Sequence, residues 1–521
     1  MIPLFTTGQV READDYAIKQ LGIPSLLLME NASLSIYGEI IKYFPEIMPG
    51  CSIGIICGKG NNGGDGFALA RHFLTKGFDV IVISMGKESE LKGDVITNYK
   101  ILKKIIETED RGRLIEYSGL ENLNYFKKCS IVADAILGTG SKGKLREPYN
   151  LIVQKLNEGK FKRVAADIPT GLDADTASGD IIFNADLTVS LAEFKAGLFF
   201  GKGFPNTGKV VKGSIGTGNL YFDELEVDTY LIEPEDAVEN LPERKKDIHK
   251  YSSGKVLVIA GSSDYPVAPS FCANAAQTVG AGAVILAVPE SVKNIVHSKV
   301  EISVVKTYDD ENSGYLRENN IKQLKEYFDW ADAILIGPGL GRNADTLNTV
   351  LRIIKDNSNR NIVLDADAVY AFKNDIYKKH KLGNTIFTPH NKEFADLIGI
   401  DILTLEQDLL KYGLLFVEQT GAVLVLKGAP TVIFLPTGEV LINSAGNSGL
   451  AKFGSGDVLS GVIGGLLAQN KNREQSVISG VYIHSFNADL LAEKLTEYGF
   501  SAIDQIKNLP KTIKFLNDAT D

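Results

Sequence analysis

The chain alternates short, continuously apolar runs with segments of helical period, and it does so in two successive stretches. Continuous β-branched runs between helices are typical of parallel strands that are buried on both faces. The pattern therefore predicts an α/β protein with two doubly wound domains. The runs of the first stretch are 52–57, 79–84, 131–137, 163–168 and 186–191. The runs of the second stretch are 255–260, 283–288, 331–337, 361–367, 384–389 and 422–428.

The segment between the two stretches differs from both in composition. It is acidic and then basic, it is poor in glycine, and it has no strong strand pattern, while a fresh strand–loop–helix pattern begins at Lys255. We therefore expect a first domain over 1–220, a linker region over 221–245 and a second domain over 246–521.

Composition and charge exclude several classes of protein. The net charge of −10, from 55 basic and 65 acidic residues, disfavours a general nucleic-acid binder. No apolar run approaches the roughly 18 residues of a membrane span, and the start of the chain lacks a signal-peptide pattern. The four cysteines form no CxxC pair, which predicts reduced, buried thiols. We expect a cytoplasmic protein that binds neither nucleic acid nor membrane.

A glycine-rich motif, GKGNNGGDG at 58–66, follows the first apolar run and precedes a helix. Its G-x-G-x-x-G spacing would suit a dinucleotide, but Ser84 and Met85 stand where such a site needs an acid. Two asparagines and an aspartate are more than a turn requires, so the motif favours a phosphate or sugar site. A tight turn without a ligand is the alternative. The candidate residues are Asn61, Asn62, Gly63, Gly64 and Asp65.

Several polar residues of the first stretch lie near the ends of apolar runs, and the carboxyl ends of parallel strands meet at one edge of a sheet. They are Asp65, Asp134, Asp167, Asn62 and Thr170. Their oxygens predict a cation site or an acid–base centre, with structural capping as the alternative for each acid. Lys195 follows another run and is a candidate general acid or phosphate partner, with a solvated lysine as the alternative.

The most specific motif lies at 443–469, where a glycine-rich loop leads into an apolar helix. Gly454, Ser455 and Gly456 present backbone N–H groups at the start of that helix, where the helix dipole favours negative charge. Asp457 follows in the first turn. The arrangement suits a general base beside an anion hole, which takes a proton from a hydroxyl as a phosphoryl group arrives. The alternative is an acid that only stabilises the helix N-terminus.

Other polar groups of the second stretch also follow apolar runs and fit a nucleotide site in the same half. They are Asp365 and Asp367, His390 and Glu393, the lysine of KGAPT at 427–431, and the turn GPGLGR at 337–342. Each is a weak signal alone, and their joint order is stronger than any one of them.

The order of these motifs resembles a known pair of families. The first stretch resembles NAD(P)H-hydrate epimerase in GKGNNGGDG, VADAILGTG, ADIPTGLDAD and ADLTVSLAEFKAGL. The second resembles ADP-dependent NAD(P)H-hydrate dehydratase in GPGLG, LDADAV, TPHNKEF, VLKGAPTVI and GNSGLAKFGSGDVLSGVIGG. The resemblance implies a Rossmann-like N-terminal domain and a ribokinase-like C-terminal domain. It also implies a repair enzyme: the first domain epimerises the R and S hydrates of NADH and NADPH, and the second dehydrates the S hydrate with ADP, giving NAD(P)H, AMP and phosphate.

For the first domain, the resemblance implies that the residues from Asn61 to Asp65 contact the phosphates and sugar of the hydrate. Lys195 and Asp167 are the implied catalytic residues, and Asp167 would also touch the substrate. The implied potassium ligands are Asn62, Asp134 and Thr170, the last standing where serine is commoner. The loop implied to cradle phosphate comprises Gly138, Thr139, Gly140, Ser141, Lys142, Gly143 and Lys144.

For the second domain, the resemblance implies that Asp457 is the base that activates the ring hydroxyl. The implied nucleotide-binding residues are Lys427, Gly428, Ala429, Pro430, Thr431, Gly454, Ser455 and Gly456. The implied hydrate-binding residues are Gly261, Gly339, His390 and Asp457. Magnesium is expected for the phosphoryl step, with ADP, or alternatively ATP, as the donor. TPHNKEF stands where the family usually has TPH-Pro-Gly-Glu.

The nearest alternative is a small-molecule kinase of the vitamin-precursor type, because the GSGD region resembles such kinases as well. Its first half would then be a non-catalytic nucleotide- or protein-binding domain. The intact NNGGD motif, Asp134 and Lys195 favour a catalytic first half, and therefore repair. We expect a homo-oligomer whose ligands are the NADH and NADPH hydrates and ADP.

Overall fold

The structure is a computed structural model that describes residues 1–140 and 143–520. The chain divides into two compact units. The first unit runs from Pro3 to Val227, and the second comprises Met1–Ile2 together with the chain from Asp228 onward. A two-residue strand, β1 (Ile2–Pro3), begins the chain and lies at one edge of the second unit's sheet.

The first unit is built on one parallel sheet. Its strands within the described chain are β2 (Ser52–Cys57), β3 (Asp79–Ser84), β4 (Gly112–Glu116), β5 (Ile131–Ala135), β6 (Lys162–Ala166), β7 (Leu187–Leu191) and β8 (Lys209–Gly213). Their order is β4-β3-β2-β5-β6-β7-β8, and neighbouring strands pair in parallel. The chain order reverses between β2 and β5, which opens a crevice at their carboxyl ends, where ligands bind in open α/β sheets.

Helices cover both faces of this sheet. They are α1 (Thr7–Lys19), α2 (Ser25–Tyr43), α3 (Asn61–Thr75), α4 (Gly93–Ile106), α5 (Tyr149–Asn157) and α6 (Gly203–Asn206). Along β2, Ile55 packs into one apolar cluster and Ile56 into another. Because successive strand residues point to opposite faces, burial of both residues means that the sheet is covered on both sides. The predicted doubly wound first domain is confirmed.

The second unit is built on a larger, mixed sheet. Its further strands within the described chain are β9 (Thr229–Leu231), β10 (Lys255–Ile259), β11 (Ala283–Pro289), β12 (Val304–Tyr308), β13 (Ala333–Ile336), β14 (Asn361–Leu364), β15 (Thr385–Phe387), β16 (Val423–Leu426), β17 (Thr431–Phe434) and β18 (Val440–Asn443). Their order is β1-β9-β18-β17-β16-β15-β14-β13-β10-β11-β12. Strands β10 to β16 pair in parallel, whereas β17 is antiparallel to β16 and β18. The order reverses between β10 and β13, so a second crevice lies there.

Helices also surround the second sheet, which confirms the α/β class predicted for this half. They are α7 (Pro234–Glu239), α8 (Ala268–Thr278), α9 (Lys293–His297), α10 (Asn320–Trp330), α11 (Ala344–Asp356), α12 (Asp367–Tyr370), α13 (Asn391–Ile398), α14 (Ile402–Gln407), α15 (Leu409–Thr420), α16 (Ser455–Asn470), α17 (Arg473–Gly499) and α18 (Ala502–Thr520). Helix α16 is apolar around most of its circumference because it packs against α8, α17 and the strands β10, β13 and β14.

The segment 221–245, expected to be a linker, contributes regular structure to the second unit. Strand β9 pairs in parallel with β18, and α7 follows it. The boundary between the units falls after Val227. All three residues of β9 are only half-buried. A strand of that kind needs no continuous apolar run, so the pattern used for the other strands did not mark it.

The described residues bear on two predictions from composition, one about the cysteines and one about membrane spans. All four cysteines are free thiols, as predicted; Cys57, Cys129 and Cys272 are buried and Cys51 is half-buried. In the described part of the chain, no helix combines the length and the apolar character needed to cross a membrane.

Candidate active sites

The first candidate site lies in the crevice between β2 and β5. The NNGGD motif forms the first turns of α3, which begins at Asn61. A Cβ on Gly63 would lie 2.0 Å from the carbonyl oxygen of Gly58, so only glycine lets the helix start this close to the strand end. The first N–H groups of a helix have no partner within the helix, and this end of α3 can therefore hold an anion.

Asp134 lies in β5 and is fully buried. Its carboxylate accepts hydrogen bonds from the N–H and the hydroxyl of Thr170, both at 2.8 Å, and from the Ile136 N–H at 3.1 Å. Burial raises the pKa of Asp134 to about 6, although these hydrogen bonds oppose the shift. The buried carboxylate would consequently be stabilised by a nearby positive charge.

Asn62 adds a further oxygen to this group. Its amide nitrogen donates to the Leu137 carbonyl at 3.1 Å, and the Thr170 hydroxyl accepts from the Leu137 N–H at 3.1 Å. Within the described residues, Asn62 Oδ1 is buried and has no hydrogen-bond partner. A buried acceptor without a partner is costly, so this position favours a cationic or hydrogen-bond-donating ligand. The residues predicted as a cation site thus meet around Leu137.

Asp167 follows β6 and has a φ of 68°, which is uncommon for a residue other than glycine. Its Oδ1 accepts from Lys195 Nζ at 2.5 Å and from the Leu191 N–H at 3.1 Å. Lys195 is fully buried and also donates to the Leu191 carbonyl at 2.6 Å. The lysine therefore neutralises Asp167 and holds it in an otherwise disfavoured conformation.

A cavity of about 710 Å³ opens at this edge of the sheet. The predicted residues that line it are Asn61, Asn62, Asp65, Gly138, Thr139, Gly140 and Asp167. A Cβ on Gly138 would lie 3.4 Å from Asp167 Oδ2, so the loop after β5 passes close to that carboxylate. Among the described lining residues Lys195 does not appear. Its effect on a ligand would pass through Asp167.

The remaining residues predicted for the first site do not line the cavity within the described chain. Gly64 packs beneath it, because a Cβ there would lie 2.6 Å from Met29 Sδ. Lys144 pairs with Asp180 at 3.0 Å on the surface. Ser141 and Lys142 lie outside the described residues.

Helix α1 brings two residues to the cavity that the sequence analysis did not single out. The Arg11 guanidinium donates to the Thr139 carbonyl, which ties α1 to the loop after β5. Asp14 lines the cavity, and burial together with the charge of Asp167 raises its pKa to about 6. Burial and the same neighbouring carboxylates raise the pKa of Asp65 well above its usual range. The cavity therefore holds acids that are poorly solvated and coupled to one another.

The second candidate site begins at the N-terminus of α16. Gly454 is the N-cap residue with a φ of 90°, a conformation that glycine adopts without strain. The helix begins at Ser455, and Asp457 lies in its first turn. The free N–H groups and the positive end of the helix dipole coincide there, so this end of α16 can hold a negative charge.

Lys427 approaches the same point from the end of β16. Its ammonium pairs with the Asp365 carboxylate at 2.7 Å, and the Thr388 hydroxyl donates to the same carboxylate at 2.8 Å. Burial, the largest single effect, would lower the pKa of Lys427, but the charges of Asp365, Glu393 and Asp457 and the hydrogen bond to Asp365 together raise it. A Cβ on Gly456 would lie 3.3 Å from Lys427 Nζ, so the lysine and the start of α16 meet.

The groups around Asp457 shift the pKa of its carboxyl group. Burial raises the pKa of Asp457 to about 7, the negative charge of Asp365 adds to the shift, and Lys427 opposes it. A group whose pKa lies near the working pH is well suited to proton transfer. Asp457 therefore has the chemistry of a general base or acid next to an anion-binding helix end.

Two glycine turns border the crevice between β10 and β13. The Gly261 N–H donates to the Pro338 carbonyl at 2.9 Å, which ties the turns together. Gly261 and Gly339 have φ values of 82° and 66°, so both turns need glycine. Asp367, after β14, accepts from the Arg342 guanidinium at 2.7 Å. The strand-end motifs of this half therefore lie along one edge of the sheet.

His390 is the N-cap residue of α13. Its Nδ1 accepts from the Glu393 N–H at 3.2 Å, and its own N–H donates to Glu393 Oε2 at 3.0 Å, which makes a capping box. The Lys427 N–H donates to the neighbouring Pro389 carbonyl at 2.8 Å. TPHNKEF thus forms a strand-to-helix turn beside Lys427, and the His390 side chain keeps 52% of its surface exposed.

The rest of the predicted nucleotide loop is a turn between β16 and β17. Gly428 and Ala429 are exposed, Pro430 is buried, and Thr431 begins β17. The exposed backbone of Gly428 and Ala429 is consequently open to a ligand beside Lys427.

Three buried polar side chains contact one another at the start of α16. Ser455 Oγ lies 3.3 Å from His484 Nε2, which in turn lies 3.1 Å from Gln505 Oε1. Burial lowers the pKa of His484 to about 4, so its ring is neutral at neutral pH. Sequence reasoning missed His484 and Gln505 because a single polar residue inside an apolar helix belongs to no motif.

The fold and the two sites define a two-domain α/β enzyme with one site at the carboxyl ends of the strands of each sheet. A family model described as NAD(P)H-hydrate dehydratase matches residues 256–511, and one described as YjeF-related protein N-terminus matches residues 25–197.

Two relatives that match nearly the whole chain carry the name of a repair enzyme. The chain is 33% identical to the bifunctional NAD(P)H-hydrate repair enzyme Nnr of Moorella thermoacetica, over 99% of this chain and 98% of the relative. It is 32% identical to the protein of the same name from Archaeoglobus fulgidus, over 98% of each. A crystal structure of a ribokinase-like superfamily protein from Enterococcus faecalis covers 56% of this chain and 98% of its own, at 26% identity and a TM-score of 0.49. The chain belongs to the bifunctional NAD(P)H-hydrate repair enzyme family.

Proposed function

We propose that the chain repairs hydrated nicotinamide nucleotides. The first unit interconverts the R and S hydrates of NADH and NADPH, and the second dehydrates the S hydrate at the expense of ADP. The observation that carries the proposal is the convergence of Asp457, Lys427 and the start of α16 on one point. Full-length relatedness to named repair enzymes supports it.

In the second unit, Asp457 takes the proton of the ring hydroxyl as that oxygen attacks the terminal phosphorus of ADP. The first N–H groups of α16, together with Lys427, stabilise the charge on the transferring phosphoryl group, and AMP leaves. The ring then carries a phosphate ester on the carbon bonded to the ring nitrogen. The nitrogen lone pair expels phosphate, and the adjacent carbon then gives a proton to water, which restores the dihydronicotinamide.

Magnesium is the proposed companion of the nucleotide, where it would neutralise charge on the phosphates. The described residues contain no group of three or more His, Cys, Asp or Glu side chains placed to hold a metal ion. Magnesium in phosphoryl-transfer sites commonly takes most of its ligands from water and substrate phosphates, with one or two carboxylates. ATP is the alternative donor because it presents a terminal phosphoryl group as well.

In the first unit, the proposed place of the hydrate is the cavity of about 710 Å³. Its phosphates would lie against the N-terminus of α3 and the turn from Gly138 to Gly140. Asp167 would face the reacting ring, with Lys195 behind it as a fixed counter-charge. Potassium would be held by Asn62 Oδ1 with the oxygens of Asp134 and Thr170, and would supply the positive charge that this buried group lacks.

Potassium is expected to stabilise the first unit and to be needed for epimerisation. At about a hundred times its dissociation constant it would add about 2.7 kcal/mol to the free energy of unfolding. Asp134→Asn, which removes the charge but keeps a side chain of the same shape, should abolish both effects. Thermal unfolding and epimerisation would be measured in potassium and in sodium buffers. Equal behaviour of the wild type in both buffers would contradict the ion site, and Asp110→Asn, an exposed acid, serves as control.

One experiment tests the whole proposal. The purified chain is mixed with an R/S mixture of hydrated NADPH, potassium, magnesium and ADP, and the near-ultraviolet absorbance of the reduced nicotinamide is followed. Full recovery of the signal means that both units act as proposed. Recovery that stops at the S fraction contradicts the epimerase assignment alone. No recovery with ADP or ATP contradicts the dehydratase and favours the small-molecule kinase.

Two further features complete the proposal. The four free thiols support the cytoplasm as the location, because its reducing conditions keep thiols unpaired. Homo-oligomeric assembly stays a prediction, which a molar-mass measurement in solution would test.

A further inference from the structure

Asp14 places a carboxyl group on the cavity side of α1. It lines the cavity and is half-buried, and within the described residues it has no hydrogen-bond or ion-pair partner. It follows the buried Val10 by four residues and precedes the buried Ala17 by three, so the three share one helical face. An acid on the inward face of a helix is costly unless something there uses it.

Helix α1 is held firmly over the strand ends. The residue before its cap, Phe5, forms a β-bridge with Lys195. Thr7 donates through both its N–H and its hydroxyl to the Asp175 carboxylate, each at 2.7 Å. These contacts fix the start of α1 beside the buried Lys195. They therefore also hold Asp14 in its position at the cavity.

Asp14 and Asp167 differ in their partners. Asp167 pairs with Lys195 at 2.5 Å and accepts a second hydrogen bond from the Leu191 N–H at 3.1 Å. Asp14 has none of these and is affected by the charges of Asp167, Lys195 and Asp15. One cavity therefore holds a carboxyl group paired with a lysine, that of Asp167, and one without such a partner in the described chain, that of Asp14.

We propose that Asp14 is a catalytic acid–base residue of the first unit, working as the partner of Asp167 in epimerisation; the inference rests on the proposed function. In the step, Asp14 gives its proton to the ring hydroxyl. The carbon–oxygen bond breaks with its electron pair on oxygen, water leaves, and the ring nitrogen lone pair forms a carbon–nitrogen double bond. Water then adds to the opposite face of that carbon, the double-bond electrons return to nitrogen, and Asp167 takes the proton of the added water.

Because epimerisation is reversible, it needs two acid–base groups, here Asp14 and Asp167. An epimerase works in both directions, so the acid of one direction is the base of the other, and a proton returns from Asp167 to Asp14 through solvent between turnovers. The pKa of Asp14, about 6, lies near working pH, as proton transfer requires. Burial and the charges of Asp167 and Asp14 raise the pKa of Asp65, also in the cavity, well above its usual range, and Asp65 keeps the role of binding the substrate.

The test compares Asp14→Asn with wild type in the full chain. Conversion of R hydrate into S hydrate is followed without nucleotide, and dehydration of the S hydrate with ADP is measured separately. We expect epimerisation to fall by about a hundredfold or more, as for loss of an acid–base group. Dehydration and the thermal midpoint should stay as in wild type, because asparagine has the shape of aspartate. Asp110→Asn should leave both activities unchanged.

A second measurement follows the bond that breaks. Epimerisation is run in water labelled with heavy oxygen, with an enzyme-free control, and each turnover should place one solvent oxygen on the ring carbon. Normal epimerisation by Asp14→Asn, or epimerisation by wild type without label, would overturn the inference and leave the proposed function intact. A wild type unable to convert the R hydrate would overturn the proposed function and the inference with it.

Discussion

Replacing Asp457 by asparagine is expected to slow dehydration by about a hundredfold or more and to leave epimerisation unchanged. Asparagine keeps the shape of the side chain but cannot take a proton from the ring hydroxyl. The first N–H groups of α16 and Lys427 stay in place, so the nucleotide should still bind. Dehydration and epimerisation would be measured separately on the same preparation.

A pH profile separates this role from helix capping. The pKa of Asp457, about 7, is raised, and the base must be ionised, so kcat/KM for dehydration should fall as pH drops below about 7. Asp345 is the matched control, since it is an exposed acid in the first turn of α11. If Asp457→Asn dehydrates nearly as fast as wild type, Asp457 is not the base. If Asp345→Asn is equally slow, helix capping explains the loss.

Replacing Lys195 by methionine is expected to lower the free energy of unfolding of the first unit by about 3–5 kcal/mol, and to abolish epimerisation with it. Methionine fills a similar volume but leaves Asp167 charged and nearly buried without its counter-charge. The chain has one tryptophan, Trp330, and it lies in the second unit. Tryptophan fluorescence therefore follows the second unit, while circular dichroism follows both.

The control for this prediction removes both partners. Lys195→Met combined with Asp167→Asn has no unpaired charge, and replacing a buried ion pair by neutral groups is often close to neutral for stability. The double variant should regain most of the lost stability and stay inactive as an epimerase. A loss below about 1 kcal/mol in Lys195→Met would mean that the pair is better solvated than its burial indicates.

The strands flanking the crevices could be predicted from sequence because they are buried on both faces. Strands β2 and β3 coincide with the predicted runs 52–57 and 79–84. The edge strands β4, β8 and β12 consist mostly of exposed and half-buried residues. No continuous apolar run marks such a strand, since only one of its faces is fully covered.

Some site residues could likewise be predicted from the sequence, and others could not. Asn62, Asp134 and Asp457 belong to glycine-rich motifs, so the sequence pattern alone singles them out. Asp14 belongs to no motif; its only signal is an acid on the same helical face as Val10 and Ala17. Spacing could not tell that Lys195 lies behind Asp167, because that depends on the left-handed turn after β6.

The position of β1 has a consequence for any attempt to study the second unit alone. Because β1 is the neighbour of β9 and the Met1 ammonium pairs with Asp236 at 2.8 Å, the first residues of the chain cover one margin of the second sheet. A protein truncated to begin at Asp228 would leave the backbone N–H and C=O groups of β9 without that cover. Uncovered strands recruit strands from other molecules. Self-association of such a fragment would therefore be an artefact of the cut.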